Sequence, residues 1–481
     1  MAPQEQDLPD PLPPRNNASA REEVSLRADS VWAESGRSGQ VTSSASGKTV
    51  DLRGRGGRVA VVDGCRTPFA KAGGLLKTMN VVDLAAVPAR ELVARSQIDP
   101  NQIDLSIFGV VLPALEASNL GREVVLRCGL PSSIPGTTVS LACASSNRAI
   151  AFAVQSILSG ESEVVLAGGA ESLSNLPVSY SHNAVQRLRE FGKADSVKAR
   201  LSVLGKLRLK DLAPEVPAIA EYSTGMTMGE ACEKMAKEND VSRQAQDEIA
   251  LLSHQRAVAA RDSGAFDQQI VPTAPPPRYR DLVGEDNGLR PDTSLEALSV
   301  LPPVLDSDFG SLTAGNSSPL TDGASAVLLM SEEKARSLGF EPLGFIRSFA
   351  FASVDPAAQL LQGPAYAAPL ALERAGLALA DMDLVEMHEA FAAQIISNLK
   401  AFASPKFARQ ELGRSAPLGE VDLERFNVTG GSIAIGHPFG ATGARVTFQI
   451  LYELRRRQLN LGLLTVCAAG GVGFAMVVER S

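Results

Sequence analysis

The stretch that most restricts how this chain can fold runs from Asn427 to Arg445, NVTGGSIAIGHPFGATGAR. Five glycines, Gly430, Gly431, Gly436, Gly440 and Gly443, fall within these nineteen residues. Glycine permits backbone geometry and close approach denied to other residues. Pro438 stiffens the turn beside His437, one of only four histidines. A short apolar run, Ile433 to Ile435, leads in, and an amphipathic segment, Ala444 to Leu454, leads out. The pattern predicts an irregular loop feeding a helix, with His437 at the turn. On its own it reads equally well as a glycine-rich surface turn with an incidental histidine.

A second stretch repeats the plan. In VSLACASSNRAIAFAVQSIL, Thr137 to Ala142 reads as a strand running into Cys143. Asn147 to Leu158 then reads as a helix with Ile150, Ala151, Val154 and Leu158 on one face. DGASAVLLMSEE likewise resembles the C-terminal GGVGFAMVVERS. Elsewhere RVAVVDG and SIFGVVL read as strands, Val81 to Arg95 as an amphipathic helix, and EVVLAGGAES as a strand and turn. Strands alternating with helices indicate an α/β fold. Two similar halves would put Cys143 and His437 at related positions.

Composition narrows the classes. The chain has 481 residues, 44% hydrophobic and 21% charged, enough for a large core and several domains. A net charge of −8 argues against nucleic acid as a general partner. No run of eighteen apolar residues occurs, so no transmembrane helix is expected. The five cysteines, Cys65, Cys128, Cys143, Cys232 and Cys467, are scattered and form no CxxC pair. That spacing suggests neither a disulfide framework nor a structural metal, and it fits a reducing, cytoplasmic location. Residues 1–56 are rich in Pro, Ser, Gly and charge and read as a disordered extension, neither secretory nor mitochondrial in pattern. Between about 175 and 310 the alternation loosens, as for an inserted region.

Three further stretches carry a Cys or His among small residues: LACASSNRA around Cys143, EMHEAFA around His388 and VCAAGGVG around Cys467. With the His437 loop, which looks like a GHPxGxTG motif, they resemble the thiolase family, CoA-dependent enzymes that make or cleave 3-ketoacyl-CoA. The four occur in the family's order and span most of the chain from Arg58. The resemblance implies a duplicated five-layered αβαβα fold, with halves at 57–174 (completed by 311–333) and 334–481 and a loop domain at 175–310.

It also implies roles. Cys143 would be the acylated nucleophile, its thiolate favoured by the start of the following helix, and His437 its base. Cys467 would move the proton at C2 of acetyl-CoA. The backbone N–H at Ala469 would serve an oxyanion hole, and His388 would donate a hydrogen bond to a thioester oxygen. Ser318, in TAGNSSPLTDGA, together with Met228 and Phe391, would contact CoA or substrate. Coenzyme A would be a substrate, with no permanently bound cofactor and no metal.

Three positions depart from the family's usual pattern: Ala469 stands for a glycine, His388 for an asparagine, and Thr227 for a histidine before Met228. HEAF with CAAGG is closest to the thiolase β-subunits of trifunctional-type fatty-acid-oxidation complexes. A homodimer or higher oligomer is therefore expected, together with a complex holding a hydratase and dehydrogenase subunit. A basic, leucine-bearing segment between 185 and 211 could serve CoA phosphates, a membrane surface or a partner, or be a solvated helix face. The alternatives are a biosynthetic acetyl-CoA acetyltransferase and a non-catalytic carrier of the same fold.

Overall fold

The computed structural model describes residues 57–215 and 220–481; the expectation for residues 1–56 lies outside them. Nine strands form the path of the main sheet: β1 (Val59–Arg66), β2 (Leu105–Gly109), β3 (Gly136–Val139), β4 (Val164–Glu171), β5 (Thr321–Ser331), β6 (Gly344–Ser353), β7 (Leu384–Met387), β8 (Leu461–Ala468) and β9 (Val472–Arg480). Their order is β7-β8-β9-β6-β1-β5-β4-β2-β3.

The order contains the expected repeat. In β2-β4-β5-β1 the first pair is parallel and the next two antiparallel. In β7-β8-β9-β6 the same sequence of pairings recurs. The resemblance between DGASAVLLMSEE and GGVGFAMVVERS falls on β5 and β9, which hold equivalent places. The halves join through β1 and β6, paired only at Val59–Ile346, Ala60–Phe345 and Val61–Gly344.

Side-chain alternation along the strands builds the layers. Ala60 and Val62 of β1, and Val164 and Leu166 of β4, share a core with Leu84 and Leu92 of α1 (Val81–Ser96) and Val124 of α2 (Leu120–Cys128). Their neighbours Val59, Val61, Val165 and Ala167 face the other way, onto α3 (Ser145–Ser159). Within 175–310 follow α4 (His182–Lys193), α5 (Val197–Leu204), α6 (Met228–Glu238) and α7 (Arg243–Asp262), with a further short helix at Leu295–Ser299.

In the second half, α8 (Gly363–Ala375) and α9 (Ala392–Ala403) share a core with Ala475 and Val477 of β9. A one-turn helix, α10 (Ser432–Ile435), precedes α11 (Thr442–Arg457). The opposite face of β9, with Phe474 and Met476, joins the core of α3 and α11. The layers therefore run α1/α2, sheet, α3/α11, sheet, α8: an α/β fold of five layers.

Three expectations are corrected in detail. SIFGVVL is strand only to Gly109, because Val111 and Leu112 turn their N–H groups onto the carboxylate of Glu171. The strand before Cys143 stops at Val139, short of Ala142. The helix read as amphipathic is buried all round from Thr442 to Leu451, because it lies in the central layer. Its polar residues are paired inside: Arg445 with Glu386, Thr447 with the carbonyl of Gly443, and Gln449 with Glu386 and Thr429. Among the described residues no helix is long and apolar enough to cross a membrane.

Gly169 shows how tightly this layout holds the His437 loop. A Cβ there would lie 2.0 Å from the carbonyl oxygen of Gly440 and 2.8 Å from that of Gly109. Gly169→Ala should therefore push the loop off β4 and cost about 1–3 kcal/mol of stability, as overpacking does, with loss of activity. Chemical denaturation would measure it, and an unchanged midpoint with full activity would contradict this packing.

Candidate active site

The turn carrying Cys143 is built by its neighbours. Ala142 adopts a left-handed backbone, φ +46°. The Ser145 hydroxyl accepts from the N–H of Leu141 at 2.9 Å and donates to the carbonyl of Ala142 at 2.7 Å. Cys143 is thereby presented just before the first turn of α3, partly exposed at the floor of a cavity. Burial raises the Cys143 thiol to about 12, although the backbone N–H groups of Ala469 and of Cys143 itself act in the opposite direction.

His437 faces it from the other half. Gly436, at φ +110°, makes the turn, and a Cβ there would meet the Thr321 methyl at 2.7 Å. The backbone of His437 bridges to Leu320. Nδ1 lies 2.7 Å from the Thr442 hydroxyl, which itself donates to the carbonyl of Pro438 at 3.1 Å. With its proton so engaged, Thr442 accepts from Nδ1–H. The lone pair of Nε2 then faces the Cys143 sulfur at 3.1 Å. Burial, with a smaller contribution from Arg445, lowers His437 to about 3. Burial thus favours the neutral form of each partner.

His388 follows β7 and is fully buried, its ring centroid 4.0 Å from that of His437. Nδ1 lies 2.8 Å from the Ser432 hydroxyl, while Nε2 is buried without a partner. Burial, then His437 and Arg445, hold its pKa well below the ordinary value. Cys467 ends β8, and burial raises its thiol well above the usual range. In the CAAGG turn the positive φ angles fall on Gly470 and Gly471, at +82° and +68°, and not on Ala469. The alanine thus costs nothing in backbone conformation.

Cys143, His437, Cys467, Ala469, Met228, Ser318 and Phe391 all line one cavity of about 530 Å³. His388 stands behind its wall. Thr227 also lines it, as the N-cap of α6 in a reciprocal capping box with Glu230. None of the basic residues between 185 and 211 lines it. A groove of about 610 Å³ between α7 and α9 lies elsewhere and holds no Cys, His or Ser.

Sequence reading missed the apolar walls, Leu112, Leu320, Leu361 and Phe439, which no spacing marks. It also missed Glu171. Burial raises this carboxyl to about 7, against N–H donors from Val111, Leu112 and Gly440 that favour its charged form. It ties the loop after β2 to the His437 loop.

The family description "Thiolase, N-terminal domain" matches residues 59–333, and "Thiolase, C-terminal domain" matches 340–480. A 3-ketoacyl-CoA thiolase of Yersinia enterocolitica is 50% identical over 425 residues, covering 88% of this chain and 97% of its own. The acetyl-CoA acetyltransferase of Bacillus anthracis superposes with a TM-score of 0.76 at 34% identity, covering 89% of this chain and 100% of its own. Human mitochondrial 3-ketoacyl-CoA thiolase in complex with CoA gives 0.74 at 33%, covering 88% and 98%.

A thiol raised in pKa beside an imidazole lowered in pKa carries little thiolate near neutrality. The rate of Cys143 alkylation by iodoacetamide should therefore keep climbing above about pH 9, beyond the ordinary thiol midpoint of about 8.5. A plateau reached below pH 7 would mean a preformed thiolate–imidazolium pair and contradict the neutral one.

Proposed function

The chain belongs to the thiolase family and is a CoA-dependent acyltransferase, and from that premise we propose that it cleaves 3-ketoacyl-CoA through an acyl-enzyme at Cys143. The observation that carries the proposal is the 3.1 Å contact between His437 Nε2 and Cys143 Sγ, in a cavity that Cys467 also lines. His437 takes the thiol proton as the sulfur attacks the 3-keto carbon. The C2–C3 bond breaks, the acyl group stays on sulfur, and the enolate of acetyl-CoA takes a proton from Cys467. The raised pKa of Cys467 supports this role, since it keeps the proton in place until the enolate forms. The thiol of CoA then gives its proton to Cys467 and attacks the acyl-cysteine. The shortened acyl-CoA leaves, and His437 returns the proton to Cys143.

The donor inventory supports oxyanion roles for the Ala469 N–H and for His388. Met228, from a loop domain at 175–310, Ser318, from the half at 57–174 with 311–333, and Phe391, from the half at 334–481, are read as contacts to CoA or the acyl chain. The degradative direction is supported by the 50% identity to a 3-ketoacyl-CoA thiolase over 425 residues.

The proposal includes a homodimer or higher oligomer acting with a hydratase and dehydrogenase subunit. Supporting a docking face for that subunit or for a membrane surface, Val197 and Leu201 of α5 are 74% and 63% exposed beside basic side chains. A cytoplasmic location is consistent with five unpaired cysteines.

Mass spectrometry after mixing with acyl-CoA should find the adduct on Cys143. Cys467→Ala should still acquire that adduct, while its cleavage of 3-ketoacyl-CoA falls roughly 10²–10⁴-fold, as for loss of a general acid. An adduct on another residue, or full cleavage by Cys467→Ala, would overturn the assignment.

A further inference from the structure

The two histidines meet different second partners, and hydrogen-bond accounting separates their states. Ser432, the first residue of α10, lies between His388 and Arg445. Arg445 Nη2 donates to Ser432 Oγ at 3.0 Å, and a guanidinium can only donate. The hydroxyl therefore receives Arg445 and has one proton of its own to place. Among the described residues its only acceptor in reach is Nδ1 of His388, at 2.8 Å. Were Nδ1 protonated instead, a buried hydroxyl proton would be left without an acceptor, which is costly in this interior.

The rest of the arrangement holds that geometry in place. Arg445 Nη1 donates to Glu386 Oε1 at 3.0 Å, and Gln449 Nε2 donates to the same oxygen at 3.0 Å. Arg445, Glu386, Ser432 and Gln449 are all buried. The turn bearing Ser432 is clamped by Glu389, which accepts from the N–H of Ile433, the Asn427 amide and the Ser253 hydroxyl. A Cβ on Gly431 would lie 2.2 Å from the Glu389 carboxyl carbon, so only glycine lets the turn approach it.

We propose that Ser432, held by the buried Arg445–Glu386 ion pair, is a positioning residue that fixes His388 in the tautomer with its proton on Nε2. His388 then offers only a donor, Nε2–H, which has no acceptor among the described residues. One ligand-type atom each from Cys143, His388 and His437 lies within 4.8 Å of the others, so the His388 ring belongs to the reaction centre. His437 is held in the opposite tautomer by Thr442, with its Nε2 lone pair toward the sulfur. Two neighbouring imidazoles thus take opposite roles through one hydroxyl each: Thr442 accepts, Ser432 donates. The depressed basicity of His388 is consistent with its staying neutral. A thiophilic metal ion bridging Cys143, His388 and His437 would need a lone pair on His388 Nε2, which this tautomer denies.

This inference rests on the acyl-transfer reading for its functional consequence, but not for its main test. Nitrogen-15 NMR of the histidine-labelled enzyme, with only four histidines to assign, should show His388 protonated on Nε2 and His437 on Nδ1. A wild-type His388 carrying its proton on Nδ1 would overturn the proposal, whatever the enzyme's activity. In Ser432→Ala the His388 signal should become a mixture of tautomers. Its kcat should fall roughly 10- to 100-fold, short of the roughly 10²–10³-fold loss of a whole oxyanion donor. KM and the iodoacetamide rate at Cys143 should hold within about twofold, since neither depends on a developing oxyanion. A drop in kcat without a change of tautomer would make Ser432 merely structural. A change of tautomer without a drop in kcat would sever the link to catalysis. Either result overturns the proposal while leaving the acyl-cysteine assignment, tested by mass, intact.

Discussion

The structure depends on one contact, between the starts of α3 and α11, because that is where two halves of the chain must meet to within a hydrogen bond. Asn147 donates to the carbonyl of Gly443 at 3.1 Å, and Ser146 accepts from the N–H of Ala444 at 2.9 Å. A Cβ on Gly443 would fall 2.2 Å from the Asn147 side-chain oxygen. Helix start is thus locked to helix start. Cys143 precedes one and His437 precedes the other, so their approach follows from the central layer and not from the loops alone. Removing both helix faces from water in one shared core supplies the driving force.

Electrostatics in this layer is governed by burial. Burial raises the thiols of Cys143 and Cys467 and lowers the imidazole of His437, and so favours the uncharged form of each. On the proposed acyl-transfer reading, reactivity would arise when a substrate carbonyl arrives and proton transfer becomes coupled to bond formation. The one guanidinium close by, Arg445, is matched by Glu386. Losing one member of such a buried pair typically costs about 3–5 kcal/mol, so the pair is a structural commitment as well as a local field.

Much of this was legible in the sequence. The glycine-rich loop, the Cys143 turn and the β5/β9 likeness carried the duplicated layout, because local strand-turn-helix patterning survives in each half. The residues that line the cavity from the four motifs could be named because their spacing is local. Ser432, Thr442, Arg445 and Glu171 could not be given roles that way. Each is an ordinary polar residue by type: Ser432, Arg445 and Glu171 take their meaning from buried partners tens to hundreds of positions away, and Thr442 from a tight turn that brings His437 onto its hydroxyl. The run from Ala444 to Leu454 looked half-exposed for the same reason: its polar side chains pair inside the protein, which no periodicity reports. Thr227, which stands where the family usually has a histidine, caps α6, a role that only the helix start reveals.

The central claim is that the second half of the chain, through His437, activates a cysteine supplied by the first. The most direct measurement compares the rate of Cys143 alkylation in the wild-type enzyme and in His437→Asn at one pH, with turnover followed in parallel. Loss of the base should slow alkylation and turnover together, by roughly 10²-fold or more. Equal alkylation rates in the two proteins would show that Cys143 draws its reactivity from elsewhere and would contradict the account.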